Sequence, residues 1–250
     1  MASTPCVVPR RAPRPRLTEN DRPPKLPKEG LAVTPKAVIF DLGGVVLGSP
    51  LHAIAAYEQD LGISAGFVNR VVVDTAPNGA WSRLERGEIG LEIFFEAFES
   101  DCAAAGERID ARVMLERMAA ASSPRPEMLT AVSRIRKRGL ATAALTNNWT
   151  TDASESDPHR LRVHFDVFVE SSVVGLRKPD PRIYRYACER IGIEPAQAIF
   201  LDDIGSNLKT ARQLGMHTIK VDDPTAALLE LQGVLGFSLA LQAPLSPRGR

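Results

Sequence analysis

The chain is short of cysteine, of net charge and of long apolar runs. Its three cysteines, Cys6, Cys102 and Cys188, are odd in number and lack metal-ligand spacing. That excludes a disulfide framework and points to reduced thiols in a reducing compartment. No run reaches the roughly 18 apolar residues that a membrane-spanning helix needs, and no apolar segment follows Met1, so no secretory signal is expected. There is no internal repeat. His52, His159, His164 and His217 show no metal spacing and receive no role. The formal net charge is +1, but it hides an asymmetry. Residues 1–36 hold eight Lys/Arg and three Asp/Glu, while the remainder holds 23 against 27. The globular part therefore offers no nucleic-acid face.

What is present begins with a tail. Residues 1–35 are rich in Pro and Arg, as in Pro9-Arg10-Arg11-Ala12-Pro13-Arg14-Pro15-Arg16. Such a stretch buries too little apolar surface to offset chain entropy and is expected to be disordered. The first 18 residues lack acids, as a mitochondrial presequence does, but the prolines oppose the amphipathic helix it needs. The expected location is cytoplasmic, with mitochondrial as the alternative.

The rest fits one large domain or a domain with an insertion. Lys36–Asp41 reads as a strand, because Ala37-Val38-Ile39-Phe40 is continuously apolar, as in a sheet buried on both faces. Gly43-Gly44 breaks the pattern. From about Leu51 to Ala121 helical periodicity dominates, as in Leu91–Phe98 and Ala111–Leu115. After Pro124 and Pro126 strand and helix alternate. Helix is expected at 127–138 with Gly139 as cap, at 182–191 with Asp180 as N-cap and Pro181 in the first turn, at 208–214 and at 226–235. Strand is expected at 140–145, 165–170, 198–201 and 216–221. The fold class is therefore α/β with a parallel sheet and right-handed crossovers. The core is expected over 36–49 and 123–238, the helical insertion over 50–122, and a flexible C-terminal tail over 239–250.

Four separated segments carry candidate chemistry. Asp41 ends the first strand, where a carboxylate is exposed at the sheet edge and can attack phosphorus; many strand-end aspartates merely cap a turn. Thr146 ends another strand, and its hydroxyl with the following amides suits a phosphate; a loop threonine is the plainer reading. Lys178, in Gly175-Leu176-Arg177-Lys178-Pro179-Asp180, can neutralise phosphate and hold Asp41, or be a solvated lysine. Asp202-Asp203 ends a third strand. Two like charges about 4 Å apart cost on the order of 4 kcal/mol at an effective dielectric near 20, and Mg²⁺, which takes oxygen ligands, removes that cost. The alternative is an N-cap, since Gly205-Ser206-Asn207 opens the next helix. Three of the four segments fall at carboxyl strand ends, where open parallel sheets bind ligands.

The order Asp, Thr, Lys, Asp-Asp resembles the haloacid dehalogenase (HAD) superfamily, over roughly Lys36 to Phe237. The resemblance implies a three-layer Rossmann-like fold with a helical cap inserted after the first strand. It implies Asp41 as nucleophile, Lys178 as stabilising cation, Thr146 and Asn147 on phosphate, and Mg²⁺ held by Asp41, the Gly43 carbonyl, Asp203 and Asp202. Gly175–Tyr184, Phe200–Gly205 and Asn207-Leu208-Lys209 look closer to one branch. It comprises the amino-terminal phosphatase domain of soluble epoxide hydrolases and the HAD-like domain of some acyl-CoA dehydrogenase family proteins. Trp81, Leu84, Glu85, Gly87 and Glu88 resemble a cap segment of that branch. The 250 residues have room for the HAD part alone.

Gly43 departs from the family pattern, which has a second aspartate two residues after the nucleophile. Glycine keeps the carbonyl and lacks the acid–base side chain. Three readings stay open. One is a working phosphatase on small phosphorylated metabolites, with a good leaving group or with a proton from Asn148, Glu85, Glu88 or the substrate itself. Another is a weak or inactive phosphate-binding or regulatory module. The third is dehalogenase-type chemistry at Asp41, which leaves Asp202-Asp203 unexplained because such relatives need no metal. The expected partner is a small phosphorylated substrate, with no nucleic acid and no membrane; the chain is expected to be a monomer or homodimer. Phe94, Phe95 and Phe98 read as the insertion's own core, Trp81 as core or pocket, and Cys188 as buried packing.

Overall fold

The computed structural model describes residues 33–149 and 158–239. The expectations for the first 32 residues and for 240–250 lie outside the described residues. Five parallel strands form one sheet in the order β3-β2-β1-β4-β5, with β1 Ala37–Phe40, β2 Ala141–Thr146, β3 Val167–Glu170, β4 Ala198–Asp202 and β5 His217–Lys220. The register pairs Phe40 with Ala144 on one side and with Leu201 on the other. Asp41, Thr146 and Asp202 therefore end three adjacent strands at the same edge.

The apolar strand residues alternate between two faces, as the pleat requires. Val38 and Phe40 pack with Met128, Val132 and Ile135 of α6 (Pro126–Lys137) and with Leu231 of α10 (Pro224–Leu235). Ile39 packs on the opposite face, with Ile183, Tyr184 and Cys188 of α8 (Pro181–Ile191) and Leu208 of α9 (Gly205–Gln213). The result is three layers, helix on sheet on helix. Each of these fully buried side chains is worth roughly 1.5–3 kcal/mol by transfer from water. Asp180 caps α8 by accepting from the Arg182 amide, with Pro181 at the first turn. Helix α9 starts three residues before its apolar pattern does. Leu239 is buried, and its amide donates to Gln232 Oε1 at 2.6 Å, so the packed chain runs one residue into the expected tail. Burial pushes the Cys102 thiol up to about 12 and the Cys188 thiol up to about 11, which makes both inert.

Between the turn after β1 and α6 lie five helices: α1 Pro50–Leu61, α2 Phe67–Asp74, α3 Ala80–Glu85, α4 Leu91–Ala104 and α5 Ala111–Ala121. They share a separate apolar cluster. Phe94 and Phe98 stack with ring centroids 5.2 Å apart, and Trp81 lies 5.3 Å from Phe98. Trp81 is thus core, as are Phe94 and Phe98, while Phe95 is partly buried. The chain leaves and re-enters the sheet layer side by side. Leu47 bridges Pro124, and the Arg125 amide donates to Val46 O at 2.8 Å. Among the described residues no helix is long and apolar enough to cross a membrane.

Candidate active site

Asp41 is 6% exposed and opens a wide turn over Leu42–Val46. Its Oδ1 accepts from the Leu42 amide at 2.7 Å and from Lys178 Nζ at 2.8 Å. Both contacts fall on one oxygen, and Oδ2 has no protein partner among the described residues. Lys178, 1% exposed, also reaches Asp202 Oδ2 at 2.7 Å. Asp202 is fully engaged. Its two oxygens share the Asn207 side-chain amide at 3.1 Å each, and Oδ1 takes the Ile204 amide at 2.8 Å. Asn207 sits in the first turn of α9, which explains why that helix begins with polar residues.

Asp203 differs from its neighbour. Its Oδ1 is buried without a partner among the described residues. Its carboxylate closes over Gly44, where φ is +77° and a Cβ would stand 2.0 Å from Asp203 Oδ2. Only glycine permits both that conformation and that approach. One oxygen each from Asp41, Asp202 and Asp203 can be chosen so that all lie within 4.8 Å of one another.

The electrostatics describe a deficit of positive charge. Burial pushes Asp41 up to about 8, with Lys178 opposing and Asp202 adding to the shift. Burial likewise raises Asp203 to about 6, reinforced by Asp202. Burial alone pulls Lys178 down, but the Asp202 and Asp41 carboxylates outweigh it and the net direction is up. Three carboxylates thus gather around one buried ammonium, which pairs with Asp41 and Asp202, while the Arg125 charge also favours ionised Asp203. An orphaned carboxylate oxygen, a glycine that makes room for it and an all-oxygen donor set fit a hard divalent cation such as Mg²⁺. Gly43, two residues after Asp41, adopts φ −63° and ψ 126° in the same turn.

The other candidates are placed as follows. Thr146 is buried, and its hydroxyl makes a single long contact, to Asn147 O at 3.4 Å. The Asn147 side chain is committed to Lys178: Oδ1 accepts the Lys178 amide at 2.8 Å and Nδ2 donates to Lys178 O at 3.0 Å. It sets the lysine's backbone, and its main-chain N–H is what it has to give an anion. Asn148 is anchored by Ser171, Ser172 and Glu170, and Glu170 pairs with Arg162. Glu88 is exposed and paired with Arg86 at 2.6 Å.

Glu85, at the end of α3, joins the helical insertion to the strand-end loops. Its Oε1 accepts from Trp81 Nε1 at 2.9 Å, and its Oε2 accepts from Arg177 Nε at 2.5 Å and Asn147 Nδ2 at 3.2 Å. Trp149, just after the Thr146 loop, packs edge-on against Trp81 at 5.9 Å. Arg125 ties the turn from behind, donating to Gly44 O at 2.6 Å and Val45 O at 3.0 Å. Sequence reasoning assigned no role to Arg125, Arg177 or Asn207. Arg177 and Asn207 fell only inside stretches quoted for other reasons, and Arg125 in none.

The family model for haloacid dehalogenase-like hydrolases matches residues 35–215. The chain is 41% identical over 212 residues to mouse acyl-CoA dehydrogenase family member 10, covering 84% of this chain and 20% of that protein. It is 35% identical over 226 residues to pig bifunctional epoxide hydrolase 2, covering 85% of this chain and 40% of that one. It therefore spans well under half the length of either relative. A HAD family enzyme, bt-2542 of Bacteroides thetaiotaomicron, solved with magnesium and inorganic phosphate, has a similar fold. Its TM-score is 0.51 at 18% identity, over 74% of this chain and 93% of that one.

Proposed function

The chain belongs to the haloacid dehalogenase-like hydrolases, and from that premise we propose that it is a Mg²⁺-dependent phosphatase of small phosphorylated metabolites. The observation that carries this reading is the gathering of Asp41, Lys178, Asp202 and Asp203 at adjacent strand ends beside Thr146. Asp41 Oδ2 is the nucleophile. Lys178 and the Thr146 hydroxyl, with the Asn147 amide, hold the transferring phosphoryl oxygens. Asp41, Asp203, Asp202 and the Gly43 carbonyl hold Mg²⁺. When bound, the ion offsets the charge of the carboxylates and of the incoming phosphate. The protein keeps water away, orients the phosphoryl group and fixes Lys178 through Asn147. The helical insertion serves as the cap that closes the site and selects the substrate. Reduced, buried thiols agree with a cytoplasmic location.

General acid–base help is worth about 10²–10⁴-fold, or roughly 3–5.5 kcal/mol of barrier. Without a side chain at 43, substrates with good leaving groups are favoured. A second reading, a phosphate-binding or regulatory module, draws on the same glycine. Dehalogenase chemistry leaves the Asp202-Asp203 pair without a purpose.

Hydrolysis of a panel of phosphomonoesters and acyl phosphates with Mg²⁺, wild type against Asp41→Asn, tests the proposal. Turnover abolished in the variant supports it; no turnover above the variant on any substrate removes the enzyme reading. A thermal shift with Mg²⁺ and beryllofluoride then separates the two readings. Stabilisation without turnover leaves the binding module, and no stabilisation excludes both.

A further inference from the structure

The fold treats its two adjacent glycines differently. Gly44 is imposed by a positive φ and by the Asp203 carboxylate against it. Gly43 is not imposed. Its φ of −63° and ψ of 126° suit any L-residue, and a Cβ there would meet only Pro50 ring carbons, at 3.4 Å, an ordinary contact. The missing side chain is thus a chemical property of the site, unconnected with the turn's geometry.

Consider what that costs in each half of a phosphoryl transfer through Asp41. In the first half, an Asp41 Oδ2 lone pair forms the O–P bond. The bond from phosphorus to the departing oxygen breaks, and that oxygen leaves with its electron pair. A carboxylate or a nitrophenolate leaves unprotonated at neutral pH, so this half needs no acid. In the second half, a water oxygen attacks phosphorus and the P–O bond to Asp41 breaks. The electron pair returns to the Asp41 carboxylate, and the attacking water gives up a proton, to bulk water where no protein base takes it. This half needs a base whatever the substrate was. Among the described residues Asp203 keeps an unpartnered oxygen but stands with the candidate metal ligands, and the other neighbouring carboxylates are already paired. Glu85 holds Arg177, Trp81 and Asn147; Glu170 holds Arg162 and Asn148; Glu88 holds Arg86.

We infer that the covalent Asp41 phosphoryl adduct accumulates: with good leaving groups its hydrolysis, and not its formation, limits turnover. The inference rests on the phosphatase reading above and deepens it. It also selects the substrate class, acyl phosphates and phosphates of acidic hydroxyls, because alkyl phosphates meet the deficit in both halves.

The test is rapid mixing of the Mg²⁺-loaded full chain with p-nitrophenyl phosphate or 2,4-dinitrophenyl phosphate. Product release is followed from the first turnover, and acid-quenched protein is weighed intact. The expected result is a burst approaching one product per chain, then a slow rate common to both substrates. The quenched protein should carry the mass of one phosphoryl group, absent in Asp41→Asn. Gly43→Asp should remove the burst and raise the steady rate by about 10²-fold or more. Linear release from the first turnover with no trapped adduct overturns the inference while leaving the phosphatase reading intact. That is also the outcome if an acid among residues 150–157, which lie outside the described residues, serves as the base. No release and no adduct in either wild type or Gly43→Asp removes the phosphatase reading itself. The wild-type burst and adduct decide the matter even if Gly43→Asp does not fold.

Discussion

Two sides of the strand-end site are built on opposite terms. On the sheet side, Asp41 and Asp202 share one ammonium, and Asp203 beside them has a buried carboxylate oxygen with no partner among the described residues. On the insertion side, Glu85 is equally buried, yet both its oxygens are matched by Trp81, Asn147 and Arg177. The first is charge left open for something to bind. The second is charge closed on itself, which holds one part of the chain against another. Burial alone therefore does not mark a functional carboxylate; the unmet demand for positive charge does.

Removing Lys178 should break the comparison most violently. Lys178→Met leaves the two buried carboxylates of Asp41 and Asp202 without their cation, and urea unfolding of the metal-free protein should register a loss of about 3–5 kcal/mol. Mg²⁺ added to that variant should recover part of the loss, because it answers the same charge.

Adding Mg²⁺ to the wild type comes next. At about 100 times its dissociation constant it should stabilise the folded chain by about 2.7 kcal/mol. The effect should depend on pH. Asp41 moves from 3.8 to about 8 in the folded chain, so the metal-free fold binds a proton that the unfolded chain has released. That contribution is fully present below 3.8 and is lost as pH rises through about 8. Melting curves without metal should fall across this window, and the Mg²⁺ increment should grow. An increment independent of pH would sever the link between the ion and Asp41.

Smaller effects test the closed side. Glu85→Ala breaks a largely buried pair and strands Arg177, so unfolding should show a loss of about 2–3 kcal/mol. Glu92 is an instructive control. Its pair with Arg112, at 3.0 Å, is largely exposed, and Glu92→Ala should change stability by under about 1 kcal/mol. Equal losses for the two would mean that the insertion contact holds nothing in particular.

The contrast also explains what was legible in the sequence. The strands announced themselves because a sheet covered on both faces writes continuous apolar runs, as Ala37–Phe40 and Ala198–Leu201 do. Asp41, Thr146 and Asp202-Asp203 followed, since each closes such a run and the register then aligns them. The insertion was read only in part. Helix α2 carries Val71-Val72-Val73, residues that favour strands, and α3 has six residues, too few to show a period. The closed side was illegible for a different reason. Glu85 meets Arg177 across 92 positions and Arg125 meets Gly44 across 81, and no local pattern encodes such pairings. The commitment of Asn147 to the Lys178 backbone escaped notice for the same reason: an amide that suits an anion suits a peptide equally well.

The central claim is that the acids at 41, 202 and 203 share one divalent cation. Calorimetric titration of Mg²⁺ into the wild type and into Asp203→Asn tests it most directly. One ion per chain in the wild type, with affinity at least about tenfold weaker in the variant, which is about 1.4 kcal/mol, is the predicted result. Equal affinity in the two proteins, or no binding to the wild type, would contradict it.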